Sequence, residues 1–190
     1  MPRKDFVPVL SRRDALTSVA GAGLGLLLAA PRLGVSAQEA SPAATPGTLP
    51  PLIAQWVAAW NAHDPEQLVA LYTPDSVYEE IPTNIVAEGP DAIQAFAEAN
   101  FAFFSDLEVR PQAAFAAEEW AVLQAIFAGR YTGQIPGAPA GSGQPFAIPF
   151  VSVFRLSDGR IQRNTDYFDN YNFLIQLGIL PAPGAATPTT

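Results

Sequence analysis

The side chains available for chemistry are few. The sequence has no cysteine, one histidine (His63) and no lysine after Lys4. Thiolate nucleophiles, disulfides, zinc ribbons and iron–sulfur clusters are excluded. A Schiff-base lysine within the main domain is excluded too, and a histidine-rich metal site or a Ser-His-Asp triad has little to draw on. What remains is carboxylates, tyrosines, arginines, hydroxyls and amides. Among these, the carboxylates set in apolar runs draw attention: Glu79 and Glu80 in the run Ser76 to Ile81, Asp166 and Asp169 in the run Ile161 to Asp169. A carboxylate can remove a proton next to a carbonyl, and burial raises its pKa toward a working pH. Strand alternation puts Tyr167 and Asp169 on one face and Asp166 and Phe168 on the other. A slip of one residue exchanges Asp169 for Asp166. Asp169 also precedes Asn170-Tyr171-Asn172, the pattern of a helix N-cap, and the two readings are compatible.

These residues need a scaffold, and the chain is long enough for one. Its 190 residues are 49% hydrophobic and 15% charged, which excludes an intrinsically disordered chain. Residues 38–190 hold five arginines against 16 acids, a net charge of −11. A surface so acidic repels phosphate backbones, and no nucleic-acid partner is expected. Residues 1–37 carry Ser11-Arg12-Arg13-Asp14-Ala15-Leu16, an apolar block Val19 to Ala30 and a small-residue site at Val35-Ser36-Ala37. The block is too short to span a bilayer. This is the layout of a signal peptide, and the paired arginines resemble a twin-arginine signal. Export to the periplasm or beyond is expected, with no membrane association after cleavage. Residues 38–49 and 182–190 read as a linker and a tail rich in Ala, Pro, Ser and Thr. The folded unit is 50–181.

Within it, Leu49, Leu52, Ile53, Trp56, Val57 and Trp60 recur at steps of three and four, the spacing of an amphipathic helix. Asp64-Pro65 opens a second helix, expected to run to about Tyr72. A short strand follows over Ser76–Ile81, and Gly89-Pro90-Asp91 starts a third helix. The rest is β in character: Leu107 and Val109, Trp120–Thr132, Phe146–Leu156 and Ile161–Asp169, with a hairpin turn at Ser157-Asp158-Gly159-Arg160. Tyr171–Leu177 reads as a short last helix. Helices first and strands afterwards give α+β, a curved antiparallel sheet wrapped on helices. The segment 133–143, with Gly133, Gly137, Gly141, Gly143, Pro136 and Pro139, reads as a long hairpin loop. No helix start follows it, so it is not a phosphate cradle. No metal or cofactor is expected.

Several stretches carry a resemblance over the whole of 50–181. Trp60-Asn61-Ala62-His63-Asp64-Pro65-Glu66, Gly89-Pro90-Asp91-Ala92-Ile93, Phe104-Ser105-Asp106-Leu107, Gly129-Arg130-Tyr131-Thr132-Gly133 and the run from Asp158 to Gly178 resemble the SnoaL-like polyketide cyclases of the nuclear transport factor two-like superfamily. The resemblance implies a cone-shaped, cystatin-like barrel enclosing one apolar pocket. It implies that Asp169 is the general acid/base of an aldol closure, and it sets Tyr131 where those cyclases often place a histidine. Ketosteroid isomerases share the fold. Mapping onto them puts Glu80 on the base, Trp56 on the oxyanion tyrosine and Ser152 on the protonated aspartate. Against this, Glu80 beside Glu79 also fits a solvated strand. Limonene-type epoxide hydrolases use an Asp-Arg-Asp set, for which Arg130, Arg163 and Asp169 would be the pieces. His63 falls at a polar turn.

The expected pocket is lined by Trp56, Trp60, Tyr78, Phe127, Tyr131, Phe150, Ser152, Phe154 and Tyr167, with Asp169 and Glu80 as catalytic groups. It would suit a small hydrophobic ligand. The functions left open are acid/base catalysis (cyclisation or isomerisation) on a hydrophobic carbonyl compound, non-catalytic ligand binding, and a homodimeric interaction module paired through the sheet face. The fold hosts all three, so the site must decide.

Overall fold

The computed structural model describes residues 48–184; the expected signal segment, most of the expected linker and the end of the expected tail lie outside the described residues. Helix α1 (Pro51–Asn61) starts at a proline, whose missing N–H costs nothing at the first turn. It buries Ile53, Trp56, Val57 and Trp60, the stripe expected from their spacing. Helix α2 (Pro65–Val69) is capped by Asp64, whose carboxylate accepts from Gln67 N at 2.8 Å. It ends earlier than expected. Tyr72 is taken into strand β1 (Tyr72–Glu80), where it pairs with Ile161. Strand β2 (Ile85–Glu88), not expected from the sequence, forms a hairpin with β1 through a turn in which Asn84 has φ of 58°. Four residues with Ile85 and Val86 exposed give no usable periodicity.

Helix α3 (Gly89–Phe103) leads directly into β3 (Phe104–Ala117), followed by β4 (Trp120–Tyr131), β5 (Gln144–Ser157), β6 (Arg160–Phe168) and α4 (Asn170–Gln176). The six strands form one sheet in the order β2-β1-β6-β5-β4-β3. All neighbours are antiparallel except β1 and β6, which run parallel. The architecture is therefore the expected α+β fold, with that one parallel pair inside it. The β5–β6 turn has Asp158 at φ 49° and Gly159 at φ 74°, the double positive φ of a type I′ hairpin.

The turn Asn61-Ala62-His63 proves to be a clamp. Asn61 exchanges two hydrogen bonds with Val109, its Oδ1 accepting from Val109 N at 2.7 Å and its Nδ2 donating to Val109 O at 3.0 Å. His63 Nε2 donates to Leu107 O at 2.9 Å, because a carbonyl can only accept. Both grip β3 beside the bulge between Ser105 and Glu108. The helical hairpin is thus fixed across the end of the sheet, and His63 has the turn role.

A second bulge decides which way β6 faces. Counted from the turn, Leu156 pairs with Ile161, but Arg155 pairs with Arg163. Gln162 is the extra residue, and it reverses the alternation beyond it. Without it Ser152 would face Thr165; with it Ser152 faces Asp166. Asn164, Asp166 and Phe168 therefore point to the concave side.

Candidate active site

The concave face of the sheet, closed by α1, α3 and α4, holds a cavity of about 340 Å³. Trp56 and Trp60 line it from α1, Phe96 from α3, Phe127 and Phe150 from the sheet, and Phe173 from α4. The ionisable carboxylates on its wall are Glu80 and Asp166, and among the described lining residues there is no arginine, lysine or histidine.

Asp166 is 7% exposed. Its Oδ1 accepts from Ser152 Oγ at 2.5 Å and from Asn164 Nδ2 at 2.8 Å, and its Oδ2 accepts from the Tyr78 hydroxyl at 2.7 Å. The direction of these bonds is set from behind. Trp56 Nε1 can only donate, and it donates to Tyr72 Oη at 3.0 Å. The Tyr72 proton then goes to Asn164 Oδ1, 3.0 Å away, which leaves the Asn164 amide nitrogen to donate to Asp166. Three donors meeting one carboxylate suit its ionised form. Burial acts the other way and prevails, raising the Asp166 pKa against the lowering by Ser152, Tyr78 and Asn164.

Glu80 lies across the Tyr78 hydroxyl, with Oε1 at 3.3 Å. Its Oε2 accepts from Thr83 Oγ1 at 2.8 Å. Burial, and then the charge of Asp166, push the Glu80 carboxyl up to about 7, against smaller lowering by Thr83 and Tyr78. Burial and the two carboxylates push the Tyr78 phenol well above its usual range, so it stays protonated. Tyr78 has one proton and gives it to Asp166 at the shorter distance. A neutral Glu80 can then donate to Tyr78 Oη. The cluster so holds one exchangeable proton on a group poised near neutrality, in an apolar cavity.

Trp56, Trp60, Tyr78, Glu80, Phe127 and Phe150 stand on the cavity wall as expected from the sequence. Ser152 lies behind it, bonded to Asp166. Four placements differ. Asp169 is exposed and caps α4, accepting from Asn172 N at 3.0 Å; the carboxylate that looks inward is Asp166. Tyr167 is 47% exposed on the convex face, for the same reason of register. Tyr131 is buried away from the cavity wall, holding the 132–143 loop. Phe154 is fully buried and packs edge-on against Trp56 at 5.4 Å, in the core below the cavity.

The other mappings lose pieces. Trp56 spends its N–H on Tyr72, so it is no oxyanion donor. Arg130 pairs with Asp106 at 3.6 Å and Arg163 with Glu79 at 3.1 Å, both exposed, so no Asp-Arg-Asp set forms. Sequence reasoning misses Asn164, Tyr72 and Thr83. The pairing of Ser152 with Asp166 is the signal that points to Asn164, two residues back on the same face, and Gln162 hides it.

A protein with a ketosteroid isomerase-like fold from Catenulispora acidiphila, solved in complex with trimethylamine, is 26% identical with a TM-score of 0.61, over 74% of this chain and 100% of that one. TsrD from Streptomyces laurentii is 28% identical with a TM-score of 0.60, over 68% and 93%. A protein assigned as a polyketide cyclase from Xanthomonas campestris pv. campestris shares the fold, at 20% identity and a TM-score of 0.62 over 66% and 93%. No curated protein matches the sequence. The family profile described as SnoaL-like polyketide cyclase matches residues 52–177.

Proposed function

Since this chain belongs to the SnoaL-like polyketide cyclase family, we propose that it moves a proton on a small, uncharged, hydrophobic carbonyl compound, with Glu80, Tyr78 and Asp166 as the acid/base group. The observation that carries this reading is Glu80: a carboxyl held at about 7 on the wall of an apolar cavity. A general base works best when its pKa lies near the operating pH. As a carboxylate, Glu80 takes the proton from the carbon next to the carbonyl, and the C–H electron pair forms the enolate. Neutral Glu80 then donates to Tyr78 Oη, with Asp166 behind it. Return of the proton to a different carbon is an isomerisation. Attack of the enolate carbon on a second carbonyl of the same molecule, whose oxygen takes the proton back, is an aldol closure. The lining favours an uncharged ligand, because no cation on the wall would balance a carboxylate or phosphate. The volume is in the range of one small molecule.

The test works without the natural substrate in hand. Exchange of α-protons for deuterium in neutral ketones and diketones is followed by NMR. The expected rate rises through pH 7 and falls about a hundredfold in Glu80→Gln. Equal rates in the variant would overturn the assignment.

A second reading is favoured by one observation, the trimethylamine complex of the Catenulispora protein. Aromatic walls and two carboxylates would hold a small organic cation without any reaction. Binding of trimethylammonium with no α-proton exchange on any ketone would support it. Export through residues 1–37 and pairing of two copies through the convex sheet face remain part of the proposal. Exposed Trp120 and Tyr167 on that face support the pairing, and size-exclusion chromatography showing a monomer would remove it.

A further inference from the structure

The loop 132–143 lies outside the acid/base cluster. Strands β1, β6 and β4 run in the same direction, and their register sets Glu80 in line with Asp166, Ser152 and then Leu123 of β4. The loop leaves β4 after Tyr131, eight residues beyond Leu123 and three strand positions from β1, so it stands away from Glu80 along the sheet. The loop contributes one residue, Ile135, to the cavity wall.

A loop with this many glycines and prolines has the composition of a mobile segment, but its hydrogen bonds hold it to the barrel. The buried Tyr131 hydroxyl accepts from Ile135 N at 3.2 Å and donates to Pro139 O at 2.5 Å. Gly141 N donates to Gly133 O and Gly143 N to Tyr131 O, both at 2.8 Å. Thr132 N and Gly133 N both donate to Phe103 O, tying the loop to the end of α3. Glycine is required where the chains touch. A Cβ on Gly133 would come within 2.3 Å of Ala102 O, and one on Gly141 within 2.5 Å of the Tyr131 backbone. The tyrosine is thus the latch of a folded plug, and Ile135 is the face of that plug.

We infer that Ile135, held in place by Tyr131, is the residue that limits ligand size at the side of the cavity opposite Glu80. This rests on the reading of the cavity as an apolar ligand site, though not on any reaction there. A ligand whose carbonyl meets Glu80 extends its apolar part toward the plug. Affinity then rises with each added methylene until the chain meets Ile135, and falls beyond that length. Tyr131 acts through Ile135 as a positioning residue.

The experiment is calorimetric binding of straight-chain methyl ketones, pentan-2-one to undecan-2-one, to the full chain. In the native protein, affinity should climb about fourfold per methylene to a maximum and then drop. Ile135→Ala removes three carbons and should move the maximum to longer ketones by about that number. Ile135→Phe should move it to shorter ones. Tyr131→Phe keeps the ring but loses both loop bonds, and should flatten the drop beyond the maximum. Far-ultraviolet circular dichroism confirms that each variant is folded. If the native protein shows a maximum that none of the variants moves, the inference fails and the ligand site stands. If no ketone binds the native protein or Ile135→Ala, the ligand site itself fails and the inference falls with it.

Discussion

Asp166 and Asp169 are three residues apart, and the fold uses them in opposite ways. Asp166, inside β6, is buried, meets three donors and has its pKa raised by desolvation. Asp169, one residue past the strand, is exposed and caps a helix. The residue type is the same. The difference is made by the backbone, through a bulge at one end of the strand and a helix start at the other. A carboxylate is a candidate base because of what surrounds it, and its surroundings here follow from a single extra residue, Gln162.

The widest separation between the two should appear in catalysis. Asp166→Asn keeps the shape but removes the negative charge behind Tyr78, and with it part of what raises Glu80. Alpha-proton exchange should fall about a hundredfold, the size expected for loss of a general acid/base contribution. Asp169→Asn should leave the rate within about twofold, since asparagine also caps a helix and the side chain is off the cavity wall. A rate for Asp169→Asn that matches Asp166→Asn would erase the contrast and restore the outer aspartate to the site.

How far this pair can be told apart from the sequence depends on what kind of signal each part of the fold leaves. The stripe Ile53–Trp56–Val57–Trp60, the Asp64-Pro65 start and the Asp158-Gly159 turn are legible because each rests on local geometry. The sheet with helices on its concave side follows from them. Tyr72 reads as helical because nothing local shows that β6 will pair with it. Half of the aromatic cavity wall is legible from the sequence, namely Trp56, Trp60, Tyr78, Phe127 and Phe150, whereas Phe96, Phe103, Phe104, Phe168 and Phe173 are placed there only by the fold. The inward carboxylate is not, because alternation counted without the bulge sends Asp169 in and Asp166 out. Glu80 is reached by its place in the chain, while its neutral pKa depends on Asp166 and on burial that only the folded chain supplies.

A smaller effect separates the inner cluster from ordinary surface carboxylates by its pH dependence. Glu80 has a folded pKa of about 7 against a reference of 4.5. Between those values the folded protein binds more protons than the unfolded chain, so stability falls as pH rises. The loss is roughly 2–3 kcal/mol for Glu80 when complete, reduced by solvent reaching its half-buried side chain. Urea unfolding at pH 5 and pH 8 checks the sign: the native protein should be more stable at pH 5. Glu80→Gln should lose much of that difference. A Glu80→Gln slope equal to the native one would mean that the group does not titrate where the cavity places it.

The smallest effect tests the outer aspartate at its own task. The Asp169 carboxylate satisfies one N–H that the first turn of α4 leaves without a partner. Asp169→Ala should cost about 1 kcal/mol of stability, and Asp169→Asn only a few tenths. α4 carries Phe173, Leu174 and Leu177 onto the cavity wall, Leu177 being its C-cap. Fraying of its first turn should therefore weaken ketone binding slightly while leaving the pH profile of exchange in place. That combination is the signature of a support for the wall. A shifted pH profile in Asp169→Ala would instead mean that the outer carboxylate reaches the proton-transfer cluster, and the division between the two aspartates would no longer hold.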